Sequence, residues 1–253
     1  MISDGLAEIL RLLRDETWPD VAANATALFA VDGIAVSANG GSGAAEILWS
    51  SEGIARGFED LQLTLGQGPG PDCLAHGIPV RVPDLARVRA DRWPALLTEL
   101  PGLTMRAVFC FPLRIGAITL GVLTLVRGTP GHLTPAQGDD ITVLARALST
   151  YLLDLGDPLL SSLEDPDLAG PLPHQAVLHQ ATGMVSVQLG VPLAEALLRL
   201  RAHAYGTNRP LTETARDIVA RRLRLAPDPH PTNLTEDADL TEDADLTEDA
   251  DED

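Results

Sequence analysis

A group of arginines near the C-terminal end is the part of this sequence best suited to bind a ligand. Residues 171–227 contain seven Arg against only Glu195, Glu213 and Asp217, so this stretch, which we call the cationic segment, has a net charge of +4. Residues 1–170 contain 11 Arg against 21 acids, and residues 228–253 contain 12 acids and no basic residue. A cationic segment between two anionic ones predicts a partner that is an anion.

Side chains that catalyse reactions or bind metals do not cluster in this sequence. The six His residues, which have no Cys or Glu partners at metal-ligand spacing, are His76, His132, His174, His179, His203 and His230. No Ser lies in a Gly-x-Ser-x-Gly elbow, and the Gly-rich segment 65–72 lacks the Lys-Ser/Thr ending of a P-loop. We therefore expect no enzyme activity, no metal and no cofactor.

The two cysteines, Cys73 and Cys110, lack the paired spacing of a disulfide framework, so we expect reduced thiols. The N-terminus has no basic region followed by an apolar run, and no apolar segment reaches the ~18 residues of a membrane span. These features predict a cytoplasmic protein.

Hydrophobic periodicity predicts three short helices in the cationic segment. The first covers about 174–189 and stops at Gly190. The second begins near Pro192, and its apolar stripe has the spacing of a buried face: Leu193, Leu197, Leu200 and Ala204. The third follows Pro210-Leu211, with Thr212 as its candidate N-cap. Helices this short bury little apolar surface alone, so we expect them to pack on one another.

The same helices contain motifs of a known family. In chain order these are His179-Gln180-Ala181-Thr182-Gly183-Met184-Val185, Glu195-Ala196, Leu200-Arg201, Asn208-Arg209-Pro210-Leu211 and Ala215-Arg216-Asp217-Ile218-Val219. Their order and spacing resemble the ANTAR domain, a small three-helix RNA-binding module of bacterial transcription antiterminators. The resemblance implies that residues 174–225 form a three-helix ANTAR domain whose partner is an RNA stem-loop in a nascent transcript.

We predict an RNA-binding face that combines arginines, short polar side chains and one aromatic ring. Its members are Arg201, Tyr205, Thr207, Asn208, Arg209, Thr214 and Arg216, with Thr182 nearby. Arginine forks onto phosphate or a guanine edge, tyrosine stacks on an unpaired loop base, and short polar side chains read base edges. The alternative for Tyr205 is a position that caps the core of the three helices.

Two other functions fit the same residues. Residues 211–223 resemble the recognition helix of a DNA-binding regulator, although the turn before them, 205–210, is longer than the usual helix-turn-helix connection. The second alternative is a ligand-binding dimer with no nucleic-acid role. Comparing the affinities for a hairpin RNA and for duplex DNA of matched charge at one salt concentration separates all three.

The residues before the cationic segment alternate between predicted helices and strands. The predicted helices cover about 3–14, 20–30, 51–61, 73–75 and 94–100, and the predicted strands cover about 34–37, 47–49, 80–84, 107–113 and 117–126. The last strand is continuously apolar, which predicts a central position in the sheet. Paired strands with helices on one side indicate an α+β fold with an antiparallel sheet.

This part of the chain also resembles a known family, through motifs that occur in a fixed order. They are Leu65-Gly66-Gln67-Gly68-Pro69, Pro79-Val80, Val82-Pro83-Asp84, Arg92-Trp93-Pro94, Arg106-Ala107-Val108-Phe109, Pro112-Leu113 and Leu120-Gly121-Val122-Leu123. Residues 21–155, after an N-terminal helix within residues 1–20, are similar to the GAF domains that are fused to ANTAR domains in actinobacterial regulators. The resemblance implies a sensory fold of about six antiparallel strands, flanked by helices, with a pocket for a small-molecule ligand.

A long helix is predicted from Pro135 to about Leu155. Its apolar positions follow the seam of a short coiled coil: Ile141, Ala145, Leu148, Leu152 and Leu155. This seam predicts a homodimer, and the alternative is packing of the helix against its own sheet. Residues 156–173 contain four Pro and several acids, which predicts a linker to the ANTAR domain.

Residues 226–253 form an acidic tail. From Leu234 the sequence Leu-Thr-Glu-Asp-Ala-Asp occurs three times, and so few apolar residues cannot bury enough surface to order the chain. We expect the tail to be disordered and to compete electrostatically with RNA for the cationic segment. The alternative is that it only keeps the protein soluble.

Deleting residues 228–253 tests the electrostatic role of the tail. Its 12 acids are tethered to the cationic segment at a local concentration on the order of millimolar, and the Debye length near ~8 Å at physiological salt limits their effect. The truncated protein should bind a hairpin RNA more tightly than the full chain at low salt and nearly equally at high salt, as measured by fluorescence anisotropy. Equal affinities at low salt would leave solubility as the tail's only role.

Overall fold

The computed structural model describes residues 3–39, 45–154 and 173–226. Within these ranges the chain forms one antiparallel sheet with helices on both faces, followed by a group of three helices. The predicted acidic tail from Pro227 onward and the predicted linker, except for its last residue Pro173, lie outside the described residues.

The helices and strands lie close to the predicted ones. The helices are α1 (Asp4–Arg14), α2 (Trp18–Phe29), α3 (Ile54–Leu65), α4 (Pro69–His76), α5 (Pro94–Glu99), α6 (Pro135–Asp154), α7 (Pro173–Leu189), α8 (Leu193–Gly206) and α9 (Leu211–Val219). The strands are β1 (Gly33–Asn39), β2 (Ala45–Ser50), β3 (Val80–Val82), β4 (Ala107–Ile115) and β5 (Ile118–Arg127). Within the described ranges no single helix is long and apolar enough to cross a membrane, and only the pair 177–189 and 193–206, bent by 102°, meets those limits together.

The sheet has the strand order β2-β1-β5-β4-β3, and every pairing is antiparallel. The described residues therefore contain the five strands predicted from the sequence pattern, where the family resemblance implied about six. The central position predicted for β5 is confirmed, because it pairs with both β1 and β4.

Two hydrophobic cores lie on opposite faces of this sheet. Leu123 and Leu125 of β5 pack in the first core with α1, α2 and α6, whereas Val122 and Val126 pack in the second core with α3, α4 and α5. Alternate residues of a strand point to opposite faces, so a strand that is apolar throughout needs cover on both. The expectation of helices on one side only was wrong for this reason.

Helix α6 packs against the sheet of its own chain. Ile141, Ala145 and Leu148 are 0%, 4% and 1% exposed, and they lie in the first core with α1, α2 and β4. These residues were predicted to form a seam between two protomers, with packing against their own sheet as the alternative. The seam was wrong for them and the alternative is observed, because side chains buried in one core cannot also pack against a second copy. The homodimer itself stays a prediction.

The second core contains a buried carboxyl group on α3. Glu59 accepts a hydrogen bond from Gln62 Nε2 at 3.1 Å, and Gln62 Oε1 in turn accepts one from the backbone N–H of Gly70 at 2.8 Å. Burial raises the pKa of Glu59 to about 7, and a hydrogen bond from Thr124 of β5 partly opposes this shift. A polar group of α3 is thereby connected to both the sheet and α4.

Both cysteines also lie in the second core. Cys73 and Cys110 are fully buried, and neither forms a disulfide. Burial raises the pKa of the Cys73 thiol to about 12, so it stays protonated and is a poor nucleophile at neutral pH. Reduced thiols at both positions stay a prediction.

Truncating Leu148 tests the placement of α6. Leu148→Ala should lower the free energy of unfolding by about 2 to 5 kcal/mol, because it leaves a cavity in a packed core. The matched control on the same helix is Leu153→Ala, at a position that is 55% exposed, and it should change that free energy by about 0.5 kcal/mol or less. Urea denaturation of both variants checks this. Dissociation of a dimer by Leu148→Ala without loss of stability would contradict it.

Replacing Glu59 tests the buried carboxyl. Its pKa rises from 4.5 to about 7 on folding, so the folded state binds the extra proton; this contribution to stability is complete below pH 4.5 and is lost as the pH rises through 7. Between pH 5 and 8 the free energy of unfolding should fall by on the order of 1 to 3 kcal/mol more in the wild type than in Glu59→Gln. Parallel urea titrations at both pH values measure this difference. The same pH dependence in both proteins would show that Glu59 does not titrate as described.

Candidate nucleic-acid interface

The cationic segment folds into three helices around a core of their own. The residues buried between them are Leu178, Ala181, Val185, Ala196, Leu197, Leu200, Ala204, Leu211, Ala215, Ile218 and Leu225. The stripe predicted on α8 is buried from Leu197 onward, whereas Leu193, in the first turn of the helix, is exposed. The predicted three-helix packing is confirmed.

The turn between α8 and α9 fixes the start of α9. Asn208 adopts a left-handed conformation with φ of 50°, which asparagine tolerates better than most residues. Pro210 is then the N-cap, and its carbonyl accepts hydrogen bonds from the N–H groups of Glu213 and Thr214. The prediction of Thr212 as N-cap was wrong, because Thr212 already lies in the first turn of the helix.

Four of the eight predicted RNA-binding residues are exposed on this turn and on α9: Thr207, Asn208, Arg209 and Arg216. Arg209 donates a hydrogen bond to Asp217 at 2.8 Å, and Arg222 approaches the other oxygen of that carboxylate at 2.7 Å. Hydrogen bonds from Arg209, then Arg222, hold the pKa of Asp217 below its usual value. A basic patch therefore surrounds one carboxylate at the end of α9.

Arg222 is a member of this patch that the predicted face omitted. It follows the end of α9 at Val219, in a stretch where Arg221, Arg222 and Arg224 are all exposed. The density of arginines around Leu223, the last predicted apolar position, was the available signal. The approach of Arg222 to Asp217 depends on the chain reversing at Arg221, which has a φ of 59°.

Thr182 and Thr214 do not belong to an exposed face. They are 7% and 0% exposed, and their hydroxyls donate to the carbonyls of Leu178 at 2.8 Å and Pro210 at 3.2 Å. A threonine hydroxyl that bonds to the preceding turn of its own helix can be buried without an unpaired polar group. Their predicted positions on the RNA-binding face were wrong for this reason.

The remaining two predicted residues, Arg201 and Tyr205 on α8, face the N-terminal domain. Tyr205 Oη donates a hydrogen bond to Glu99 Oε1 at 2.8 Å, and its side chain is 49% exposed, so it does not cap the three-helix core. The Arg201 guanidinium lies on Gly66, where an added Cβ atom would stand 2.8 Å from Nη1. Arg201 Nε is buried and has no hydrogen-bond partner among the described residues, and burial lowers the pKa of this side chain.

Leu63 of α3 completes the contact between the two parts of the chain. It is buried, and it packs with the apolar core of the three helices and not with the second core of the sheet domain. Helix α3 thus contacts both α8 and α9.

The chemistry available at this site is the binding of an anion. In the described part of the chain, no group of three or more His, Cys, Asp or Glu residues could hold a metal ion. The exposed groups are guanidinium, amide and hydroxyl donors, which suit phosphates and base edges.

Two protein families match this chain. The ANTAR domain family matches residues 167–219, and the GAF domain family matches residues 6–152. A comparison with curated proteins finds no significant match. GAF domains are sensory domains that bind small ligands, and ANTAR domains are RNA-binding antitermination domains.

Solved structures similar to this chain include three GAF domains. That of the Acinetobacter phosphoenolpyruvate-protein phosphotransferase is 13% identical, with 60% of this chain and 96% of that chain covered and a TM-score of 0.46. That of A. aeolicus nlh2 in an inactive state is 16% identical, with coverages of 61% and 96% and a TM-score of 0.45. GAF-B of DevS from Mycobacterium smegmatis is 18% identical, with coverages of 63% and 97% and a TM-score of 0.39.

The order of the two family matches agrees with the architecture. The match at residues 6–152 spans the sheet and both of its cores, and the match at residues 167–219 spans α7, α8 and α9. Because the first match alone covers more than half of the chain and the second follows it, the chain belongs to the GAF–ANTAR proteins.

Proposed function

We propose that this GAF–ANTAR protein is a signal-responsive regulator that acts by transcription antitermination. The GAF domain senses a small molecule, and the ANTAR domain binds an RNA stem-loop whose formation competes with a terminator hairpin. The protein acts as a homodimer and performs no catalytic step. The observation that carries this proposal is the exposed basic patch on the ANTAR domain, within a chain whose net charge is −18.

The contacts within the basic patch support binding of a phosphate chain. Arg209 and Arg222 both point at Asp217, so their guanidinium groups lie close together on one side of the domain. The two arginines are 41% and 65% exposed, and ion pairs near the surface are typically worth about 1 kcal/mol or less, so phosphate can replace the carboxylate at small cost. Thr207 and Asn208 lie directly before Arg209 and add short polar side chains beside the cations.

The length of α9 supports an RNA partner over duplex DNA. A recognition helix was considered for residues 211–223, but α9 ends at Val219 after nine residues. Leu211, Thr214, Ala215 and Ile218 are all buried in the domain core, so only a narrow strip of this short helix faces outward. Recognition of RNA loops depends on side chains that reach unstacked bases and phosphates, which the turn and the arginines after the helix provide.

Replacing Arg209 tests this function. Arg209→Ala should weaken the binding of a hairpin RNA about tenfold and should lower the salt dependence of binding by about one unit, because one phosphate contact is lost. Arg209 pairs with two acids, Asp217 at 2.8 Å and Glu213 at 3.8 Å. The matched control is Arg11→Ala on α1, since Arg11 likewise pairs with Glu8 at 2.6 Å and Asp15 at 2.9 Å. The control should change affinity less than twofold, as roughly expected for a distant screened charge.

Fluorescence anisotropy with hairpin RNA and with duplex DNA of matched charge measures these affinities, and circular dichroism verifies that both variants keep their helices. Equal binding by Arg209→Ala and the wild type would refute the assignment of the patch. A preference for the duplex at every salt concentration would favour the DNA-binding alternative.

A further inference from the structure

We propose that the GAF domain holds part of the RNA-binding surface closed through a reversible contact with α8. This contact, which we call the latch, consists of Leu63 and Gly66 at the end of α3 and Glu99 at the end of α5, against Arg201 and Tyr205 of α8. The inference rests on the proposed function, because it concerns access to the same RNA-binding surface.

Arg201 and Tyr205 cannot bind RNA fully while the latch is closed. Arg201 lies on Gly66 with its Nε buried, so a phosphate cannot reach that donor. The Tyr205 hydroxyl is engaged by the Glu99 carboxylate at 2.8 Å, which also places a negative charge where a phosphate chain would approach. Closed latch and full RNA contact are therefore mutually exclusive at these two residues.

The contact of Arg201 with α3 can break at a small cost in free energy. Its guanidinium lies at the C-terminal end of α3, where Gly66 is the C-cap, and the partial negative charge of that end stabilises a cation there. Among the described residues it forms no ion pair, and its buried Nε lacks a hydrogen bond, which costs free energy in the closed state. An RNA phosphate offers the acceptors that Arg201 lacks in the latch.

Gly66 permits this approach in two ways. Its φ of 66° is left-handed, a conformation that glycine adopts readily, and any side chain there would meet the Arg201 guanidinium. Leu63, one turn earlier on α3, is buried among the apolar residues of the three helices and adds a non-polar contact to the latch. The surface of α3 that contacts α8 is thus formed by one turn of this helix.

The preceding turn of α3 lies inside the GAF domain. Glu59 and Gln62 are buried there and connect α3 to Thr124 and to Gly70 of α4. A ligand or a protonation change that shifts α3 relative to the sheet also shifts Leu63 and Gly66, which are only four residues from Glu59 and Gln62 respectively. This gives the latch a physical connection to the interior of the sensory domain.

The test breaks the latch from both sides in the full chain. Glu99→Ala removes the acceptor, and Tyr205→Phe removes the donor but keeps the aromatic ring for stacking. Each should tighten the binding of a hairpin RNA about fivefold, the effect of one lost hydrogen bond on the closed state. The double variant should gain no more than either single variant, because both remove the same bond.

Glu52→Ala is the control for charge, since Glu52 is an exposed acid of the GAF domain outside the latch. It should alter RNA affinity less than twofold, as roughly expected for a screened surface charge. An equal gain from Glu52→Ala and Glu99→Ala would mean that simple repulsion explains the result, and the latch would be wrong.

A second measurement reports on the latch without RNA. Hydrogen–deuterium exchange, read by mass spectrometry, should be faster in α8 and in the last turn of α3 in Glu99→Ala than in Glu52→Ala, and saturating RNA should produce the same increase at α3 in the wild type. Faster exchange in Glu99→Ala without tighter RNA binding would overturn the latch and leave the proposed function standing. No binding of hairpin RNA by the wild type or by any variant would overturn the proposed function, and the latch as its regulator with it.

Discussion

The packing of α3 in two cores is the constraint on which the arrangement of this protein depends. Ala55 and Phe58 are fully buried in the second core of the sheet domain, whereas Leu63 is buried in the core of the three ANTAR helices. A helix with one apolar face can serve only one core, so α3 changes partner along its length. The GAF and ANTAR domains thereby share one rigid element instead of meeting only through polar surface residues.

The glycines after α3 determine where that element ends. Gly66 caps the helix in a left-handed conformation, and at Gly68 an added Cβ atom would lie 2.5 Å from Gln62 Oε1. Pro69 then begins α4, whose N–H at Gly70 bonds to the same Gln62 oxygen. The motif Leu65-Gly66-Gln67-Gly68-Pro69, a signature of the GAF resemblance, is therefore also what creates the flat surface on which Arg201 lies.

Periodicity predicted most helices and strands and the central place of β5, because these depend on local apolar patterns. It could not tell whether the apolar stripe of α6 meets a second copy or its own sheet, since Ile141 and Leu148 have the same spacing in either case. Thr182 and Thr214 were placed on the RNA-binding face because of their residue type, but their hydroxyls donate hydrogen bonds to carbonyl groups of their own helices. The bond between Glu99 and Tyr205 joins residues 106 positions apart, and no local pattern encodes such a contact. The burial of Glu59 could have been predicted from the sequence, because this residue lies on the same helical face as Ala55 and Gln62.

The charges around Arg201 bear on whether its contact with α3 can be regulated. The chain has 36 acids, yet Arg201 forms no ion pair with any carboxylate in the described ranges, whereas Arg209 and Arg222 share Asp217 at the surface. A hydrogen bond to a charged group typically contributes about 1.5 to 3 kcal/mol, and the coupling between two ligand sites is typically about 1 to 3 kcal/mol. A carboxylate bonded to Arg201 would thus require most or all of a typical ligand signal to break. The contact of Arg201 with the C-terminal end of α3, together with that of Leu63, is weaker than such a bond. Its strength falls within the range that the binding of a small molecule or an RNA can reverse.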